Sequence, residues 1–204
     1  MRVFFTCLLA AYSLAASHIY DAIDQLPFDA TGYFATEGQL DKIFNEQPIK
    51  TVIELGCWAG RSTRFFGFRV EEGGKVYAVD HWLGTPGHPG EIHDPRMSHI
   101  YQLFLSNIHY MGLDDLVIPL RMNTEEALKA LKHVTADLIY MDAAKDAQRV
   151  YTDILHWSPY LREGGVFCGA EFREPGVREG VLRAAQELGL EVESDRKGFF
   201  WRLK

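Results

Sequence analysis

Apolar residues in this chain gather into short β-forming runs, with stretches of helical spacing between them. The runs are "KTVIELG" (50–56), "KVYAVD" (75–80), "LVIPLRM" (116–122), "ADLIYMDA" (136–143) and "GGVFCGAEF" (164–172). Helical spacing predicts helices over 61–70, 97–112, 123–133, 147–161 and 175–189. Residues 18–50 are expected to be mostly helical: Leu40, Ile43 and Phe44 share a helical face, and Pro48 ends the segment. Asn123 or Thr124 is a natural N-cap. The closing "LEVESDRKGFFWRLK" (190–204) reads as two β-runs joined over Asp195–Gly198, a hairpin.

Strand and helix alternate until that hairpin, which implies βαβ units. The expected fold is α/β: a doubly wound, mostly parallel, seven-stranded Rossmann-like sheet with a C-terminal antiparallel hairpin. In such sheets ligands bind beyond the carboxyl ends of the strands. Polar residues fall there after every parallel strand: Glu54 to Ser62, Asp80, Asn123, Asp142 and Glu171.

The 204 residues suit one domain, expected over 18–204, and the apolar share of 47% allows a full core. Net charge is −7 with no basic block, which argues against a nucleic-acid partner. The three cysteines, Cys7, Cys57 and Cys168, have neither disulfide nor zinc spacing and read as buried free thiols of a reducing compartment. Residues 1–17 carry one Arg and then an uncharged run ending in small residues. A secretory signal peptide, a membrane anchor and an amphipathic helix packed on the domain all stay open for it. The expected location is the cytoplasm, with membrane association through residues 3–17 as an open variant.

"TVIELGCWAGRST" (51–63) places Gly56 and Gly60 after the first strand, where backbone passes close to a ligand and helix N–H groups face it. Asp80, ending the second strand, suits the ribose hydroxyls of a nucleoside. The third glycine of a dinucleotide turn is absent, Trp58 crowds a pyrophosphate, and Glu54 repels one. A cationic adenosine cofactor, S-adenosylmethionine, fits better.

These residues resemble the first motif of class I S-adenosylmethionine-dependent methyltransferases, most closely the small-molecule O-methyltransferases related to catechol O-methyltransferase. Glu54, Gly56, Gly60 and Ser62 fill the places of Leu-Glu-Leu-Gly-x-x-x-Gly-x-Ser. "TEGQLDKIF", "VYAVDHW", "ADLIYMDAAKD" and "LREGGVFCGAEF" continue the likeness, from about residue 35 to the C-terminus. The resemblance implies O-methylation of a small molecule. Around the cofactor it implies Glu54, Gly56, Cys57, Trp58, Gly60, Ser62, Asp80, His81, Asn123, Thr124 and Asp142. Glu54 would lie near the amino-acid end, Asp80 on the ribose, and Asn123 and Thr124 at the adenine edge, with His81 or Trp82 flanking the ring.

Asp142-Ala-Ala-Lys145-Asp146 matches that family's Asp-x-x-Lys-Asp signature, which supplies a divalent-metal ligand and a lysine base. A hard cation acidifies a bound hydroxyl, and a desolvated lysine of lowered pKa takes its proton. The catalytic residues expected are Lys145 and Asp142, with Asp142 and Glu171 on Mg2+ or another divalent cation. The chain departs from the family's Asp-Asn metal pair at Ala170 and Glu171, which puts metal dependence in question.

His81, His88, His93 and His99 surround the Gly- and Pro-rich loop 83–95, which reads as a lid rather than a zinc site. Phe65, Phe66 and Phe68 read mostly as core. Two competing readings are a nicotinamide oxidoreductase and a cofactor-binding module without catalysis. The expected partner is a small-molecule acceptor, with a homodimer left open.

Overall fold

The computed structural model describes residues 19–85 and 92–204. The leader or anchor expected over 1–17, Cys7, His88 and the centre of the 83–95 loop lie outside them. Among the described residues no helix is long and apolar enough to cross a membrane.

The apolar runs form β1 (Thr51–Leu55), β2 (Lys75–Asp80), β3 (Val117–Arg121), β4 (Ala136–Met141) and β5 (Leu161–Ala170), followed by β6 (Val192–Ser194) and β7 (Phe200–Leu203). They make one seven-stranded sheet in the order β3-β2-β1-β4-β5-β7-β6. The first five strands are mutually parallel, and β7 runs antiparallel to both β5 and β6. The expected fold is therefore the observed one. Order reverses between β1 and β4, the place where a doubly wound sheet opens a crevice at its carboxyl edge.

Helices α1 (Glu37–Glu46), α2 (Arg61–Arg69), α3 (Ile100–Tyr110), α4 (Thr124–Ala130), α5 (Ala147–Trp157) and α6 (Pro175–Leu188) fill the gaps between strands. Strand periodicity of two sorts the core into layers. Val52, Val76 and Leu138 share one core with Leu40 of α1, Phe66 of α2 and Phe104 of α3. Ile53, Tyr77 and Ile139 share the other with Ala127 of α4, Ile154 of α5 and Val181 of α6. Buried large side chains such as Phe66 and Trp157 each contribute roughly 1.5–3 kcal/mol.

Local chemistry sets the boundaries. Asn123 caps α4 through a reciprocal pair with Glu126, as a capping box does. Asp146 caps α5, accepting from the Arg149 N–H. Asp195 accepts from the Phe200 N–H at 2.8 Å and closes the final hairpin.

One expectation fails: residues 24–34 carry no helix. Pro27 and Gly32 break helical propensity there, and the segment is strapped to α3 instead. Leu26 N–H donates to Ser106 Oγ and Asp29 N–H to Asn107 Oδ1, each at 2.9 Å. Ser106 and Asn107 are themselves buried, so these bonds satisfy backbone and side chain together. Of the three phenylalanines on α2, Phe66 is core, Phe65 packs against it, and Phe68 is exposed.

Candidate active site

An open cavity of about 720 Å³ lies at the carboxyl edge, centred on the β1–β4 crevice. Of the cofactor set read from sequence, Gly56, Cys57, Trp58, Ser62, Asp80, His81, Asn123, Thr124 and Asp142 line it, with Lys145 and Glu171. Glu54 and Gly60 stand behind the wall rather than on it.

The turn after β1 is held by Asp80. Its Oδ2 accepts from the Cys57 and Trp58 N–H groups at 2.9 and 3.0 Å, and its Oδ1 from Trp82 N–H at 2.7 Å. Gly60 adopts φ +82° as the N-cap of α2. Gly56, at φ +88°, lies against the chain after β4; a Cβ there would stand 2.1 Å from the Asp142 carbonyl oxygen. Trp58, Trp82 and Glu171 are the non-glycine residues with positive φ among those described, and all three lie at this edge. Such backbone persists only where surrounding contacts over-determine it, and it concentrates at functional sites.

Glu54 shares the α2-facing side of β1 with Val52 and is completely buried. Its carboxylate accepts from the hydroxyls of Ser62 and Thr63, the latter at 2.6 Å. Burial pushes the Glu54 carboxyl up to about 7 against the pull of these two donors. Glu54 thus aims Ser62, which does face the cavity, while its own carboxylate lies behind the wall.

Two further corrections concern side chains beside Asp80. Trp82 is core: it packs on Tyr101 and Phe104 at ring distances of 4.6 and 4.8 Å, and its Nε1 donates to the Trp58 carbonyl at 2.8 Å. Of the two residues expected to flank a ring, His81 is the one that lines the cavity. The Cys57 thiol is buried, and burial raises its pKa well above the usual thiol value; what it offers the site is backbone. Cys168 is buried within β5.

On the other side of the crevice, Lys145 donates to Asp142 Oδ1 at 2.8 Å and pairs with Glu171 Oε2. Burial works to lower the Lys145 pKa, but the Asp142 and Glu171 charges outweigh it and hold the pKa well above the ordinary lysine value. The lowering expected for a lysine base is reversed. A divalent cation at this place would have to compete with an ammonium. Mg2+ binds through one or two carboxylates and completes its shell with water, and Ca2+ takes six to eight oxygens. Here Asp142 and Glu171 are spent on an ammonium, Ala170 has no ligating side chain, and its carbonyl accepts from Trp201 Nε1 at 3.0 Å. Asp146, the next carboxylate along, caps α5. Among the described residues no cluster of three or more His, Cys, Asp or Glu stands ready for a metal.

The residues around the cavity do fit an adenosine cofactor. Asp153 of α5 lines it beside Thr124, is 4% exposed, and has Oδ1 bonded to the Thr124 hydroxyl at 2.9 Å while Oδ2 has no hydrogen-bond partner. That oxygen pairs loosely with Arg149 Nε at 3.9 Å and keeps room for a hydrogen-bond donor, which an adenine edge carries.

Sequence reading missed Asp153, Arg96 and the segment Thr31–Tyr33, all cavity walls. Arg96 forks onto Asp94 at 2.9 and 2.7 Å, reaches Asp29 at 3.2 Å, and lies over the Trp58 ring at 5.9 Å. Asp94-Pro95 opening a short 3₁₀ turn was the local signal available; the pairing with Asp29 is tertiary.

This sheet order, this turn and an acid ending the second strand define a nucleoside-cofactor enzyme of the methyltransferase type. Residues 53–169 match the family model described as a methyltransferase domain, and the chain belongs to that family. No curated protein matches it. Solved structures share the fold. An O-methyltransferase from Bacillus cereus, in complex with SAH, is 17% identical at TM-score 0.59, covering 95% of this chain and 90% of its own. TomG, an O-methyltransferase from Streptomyces achromogenes involved in tomaymycin synthesis and solved with SAM, is 15% identical at TM-score 0.63, covering 98% and 94%.

Proposed function

We propose that this chain is an S-adenosylmethionine-dependent O-methyltransferase acting on a small-molecule hydroxyl. The observation that carries the reading is Asp80: it ends β2 at the crevice, faces the cavity, and holds the turn after β1 by backbone amides. Family membership and the O-methyltransferase neighbours support it. Of the two competing readings, the module without catalysis is favoured by Ala170 alone. Trp58 fills the turn that a dinucleotide pyrophosphate would approach, and Lys145 and Asp142 stand together at the cavity rather than apart.

Asp80 would take the ribose hydroxyls, Asn123, Thr124 and Asp153 the adenine edge, and Ser62, Asp142 and the turn backbone the amino-acid end. The cofactor supplies an electrophilic methyl on a sulfonium. With the cofactor bound, a carboxylate of the Asp142–Lys145–Glu171 cluster would take the acceptor's proton and pass it to water, while Lys145 keeps its own and holds the cluster together. Holding the acceptor oxygen in line with the methyl supplies much of the rate.

Calorimetric titration with S-adenosylhomocysteine tests the reading. Micromolar binding to the full chain, lost in Asp80→Ala, is the expected result. Binding of NAD with none of S-adenosylhomocysteine would overturn it.

A further inference from the structure

We propose that the Lys145 ammonium is the resident cation of this site, occupying the place between Asp142 and Glu171 and making a divalent metal unnecessary. The inference rests on the methyltransferase reading for why a cation at this place matters.

Three observations carry it. First, Lys145 Nζ contacts both carboxylates, Asp142 Oδ1 at 2.8 Å and Glu171 Oε2. The two acids come from different strands, after β4 and after β5, so the ammonium ties the two sides of that edge as an ion would. Second, the geometry is built. Glu171 takes φ +56°, an unfavourable backbone for a glutamate, and its N–H is fixed by the Phe199 carbonyl at 2.8 Å. The hairpin thereby presents the carboxylate to Lys145. Third, the neighbouring positions offer little more: position 170 is alanine and Asp146 Oδ1 caps α5.

Electrostatics favours the lysine. A cation entering between these carboxylates would sit against an ammonium already in contact with both, and like charges at such distances repel strongly away from bulk water. An ammonium also differs from a metal in what it offers. It carries three N–H donors; two are taken by Asp142 and Glu171, which leaves one for a single acceptor oxygen. A metal would instead offer several open positions. The centre therefore suits an acceptor presenting one anionic or acidic oxygen more than a chelating pair.

Manganese ion alone is the probe, followed by the electron paramagnetic resonance signal of the free ion, with and without S-adenosylhomocysteine. The wild-type chain is expected to leave that signal intact up to roughly 1 mM, weaker than the usual range of protein sites for such hard ions. Lys145→Met frees two facing carboxylates, and its affinity for Mn2+ should rise by roughly tenfold or more, a change of the size seen when a metal site gains or loses one supporting group. Lys145→Arg, which keeps a cation, should behave as wild type. Stoichiometric wild-type binding at micromolar Mn2+ would overturn the proposal, and so would a Lys145→Met protein no better than wild type. Folding is judged by thermal melts; if Lys145→Met does not fold, Lys145→Gln serves the same reading. Cofactor titration is run separately, so a chain that binds S-adenosylhomocysteine and also Mn2+ sinks only this inference, while one that binds neither sinks the methyltransferase reading alone.

Discussion

The two sides of the crevice hold their acids in opposite ways. On the β1–β2 side, Glu54 and Asp80 are satisfied by neutral donors: two hydroxyls for Glu54 and three backbone amides for Asp80. On the β4–β5 side, Asp142 and Glu171 are satisfied by a charge, Lys145. Neutral donors fix position without supplying a countercharge, and for Glu54 burial then favours the protonated form. A salt-bridged cluster of two carboxylates and one ammonium keeps a single net negative charge, shared over both acids.

Gly56 is the seam between the two sides, and breaking it gives the largest expected effect. Gly56→Ala would push a methyl to 2.1 Å from the Asp142 carbonyl and hold an L-residue at φ +88°. The clash is with backbone, so no rotamer relieves it. Stability should fall by about 3 kcal/mol or more, and cofactor binding should go with it. Urea unfolding measures the loss. A variant melting near wild type would mean that the two sides can separate at little cost.

The contrast between the sides is sharpened by a pair of variants. Asp80→Ala should weaken S-adenosylhomocysteine by roughly 100-fold, about 3 kcal/mol, because it removes both the ribose acceptor and the brace of the turn. Glu171→Gln should leave that affinity within roughly threefold, less than about 0.7 kcal/mol. Equal losses by calorimetry would show that Glu171 joins Asp142 in the cofactor cradle.

Glu54 gives a smaller, pH-resolved difference. Its folded-state pKa is raised from 4.5 to about 7 by burial. The folded protein therefore binds the proton more tightly than the unfolded chain does, and stability from this group falls as pH climbs through that window. Glu54→Gln cannot ionise. Relative to that variant, wild type should lose on the order of a few kcal/mol between pH 4.5 and 7, read as a difference in melting free energies. A difference that stays flat across the window would place the Glu54 titration outside it.

Much of this architecture was legible in the sequence because its causes are local. Runs such as Val76–Val79 and Leu138–Met141 are buried on both faces, so they appear as unbroken apolar strings. The final turn announces itself through Asp195 and Gly198. Motif order placed Gly56, Ser62, Asp80 and Asp142 at one edge, and the cavity holds them there. What was not legible depends on contacts distant in sequence. Segment 24–34 lost its helix to partners on α3. Trp82 turned inward to rings on α3. The state of Lys145 depends on Glu171, delivered by a different strand, and spacing within the Asp142–Asp146 motif does not contain that information.

Arg96 offers the mildest test, and it can be read within one molecule. Its side chain is 26% exposed, so the ion pairs with Asp94 and Asp29 are partly screened. Arg96→Ala should cost no more than about 1 kcal/mol of global stability. The local consequence differs along the strapped segment. Leu26 and Asp29 amides bond to α3 side chains and owe nothing to Arg96. The Thr31 amide bonds instead to Asp29 Oδ1 at 2.7 Å, on a carboxylate that Arg96 holds from the other side. Hydrogen exchange in the variant should quicken at Thr31 while Leu26 and Asp29 stay protected. A second variant, Arg96→Lys, should rescue little, because the fork onto both Asp94 oxygens needs a planar guanidinium. Uniform quickening across all three amides would mean that Arg96 supports the whole strap, and that this wall of the cavity opens as a unit.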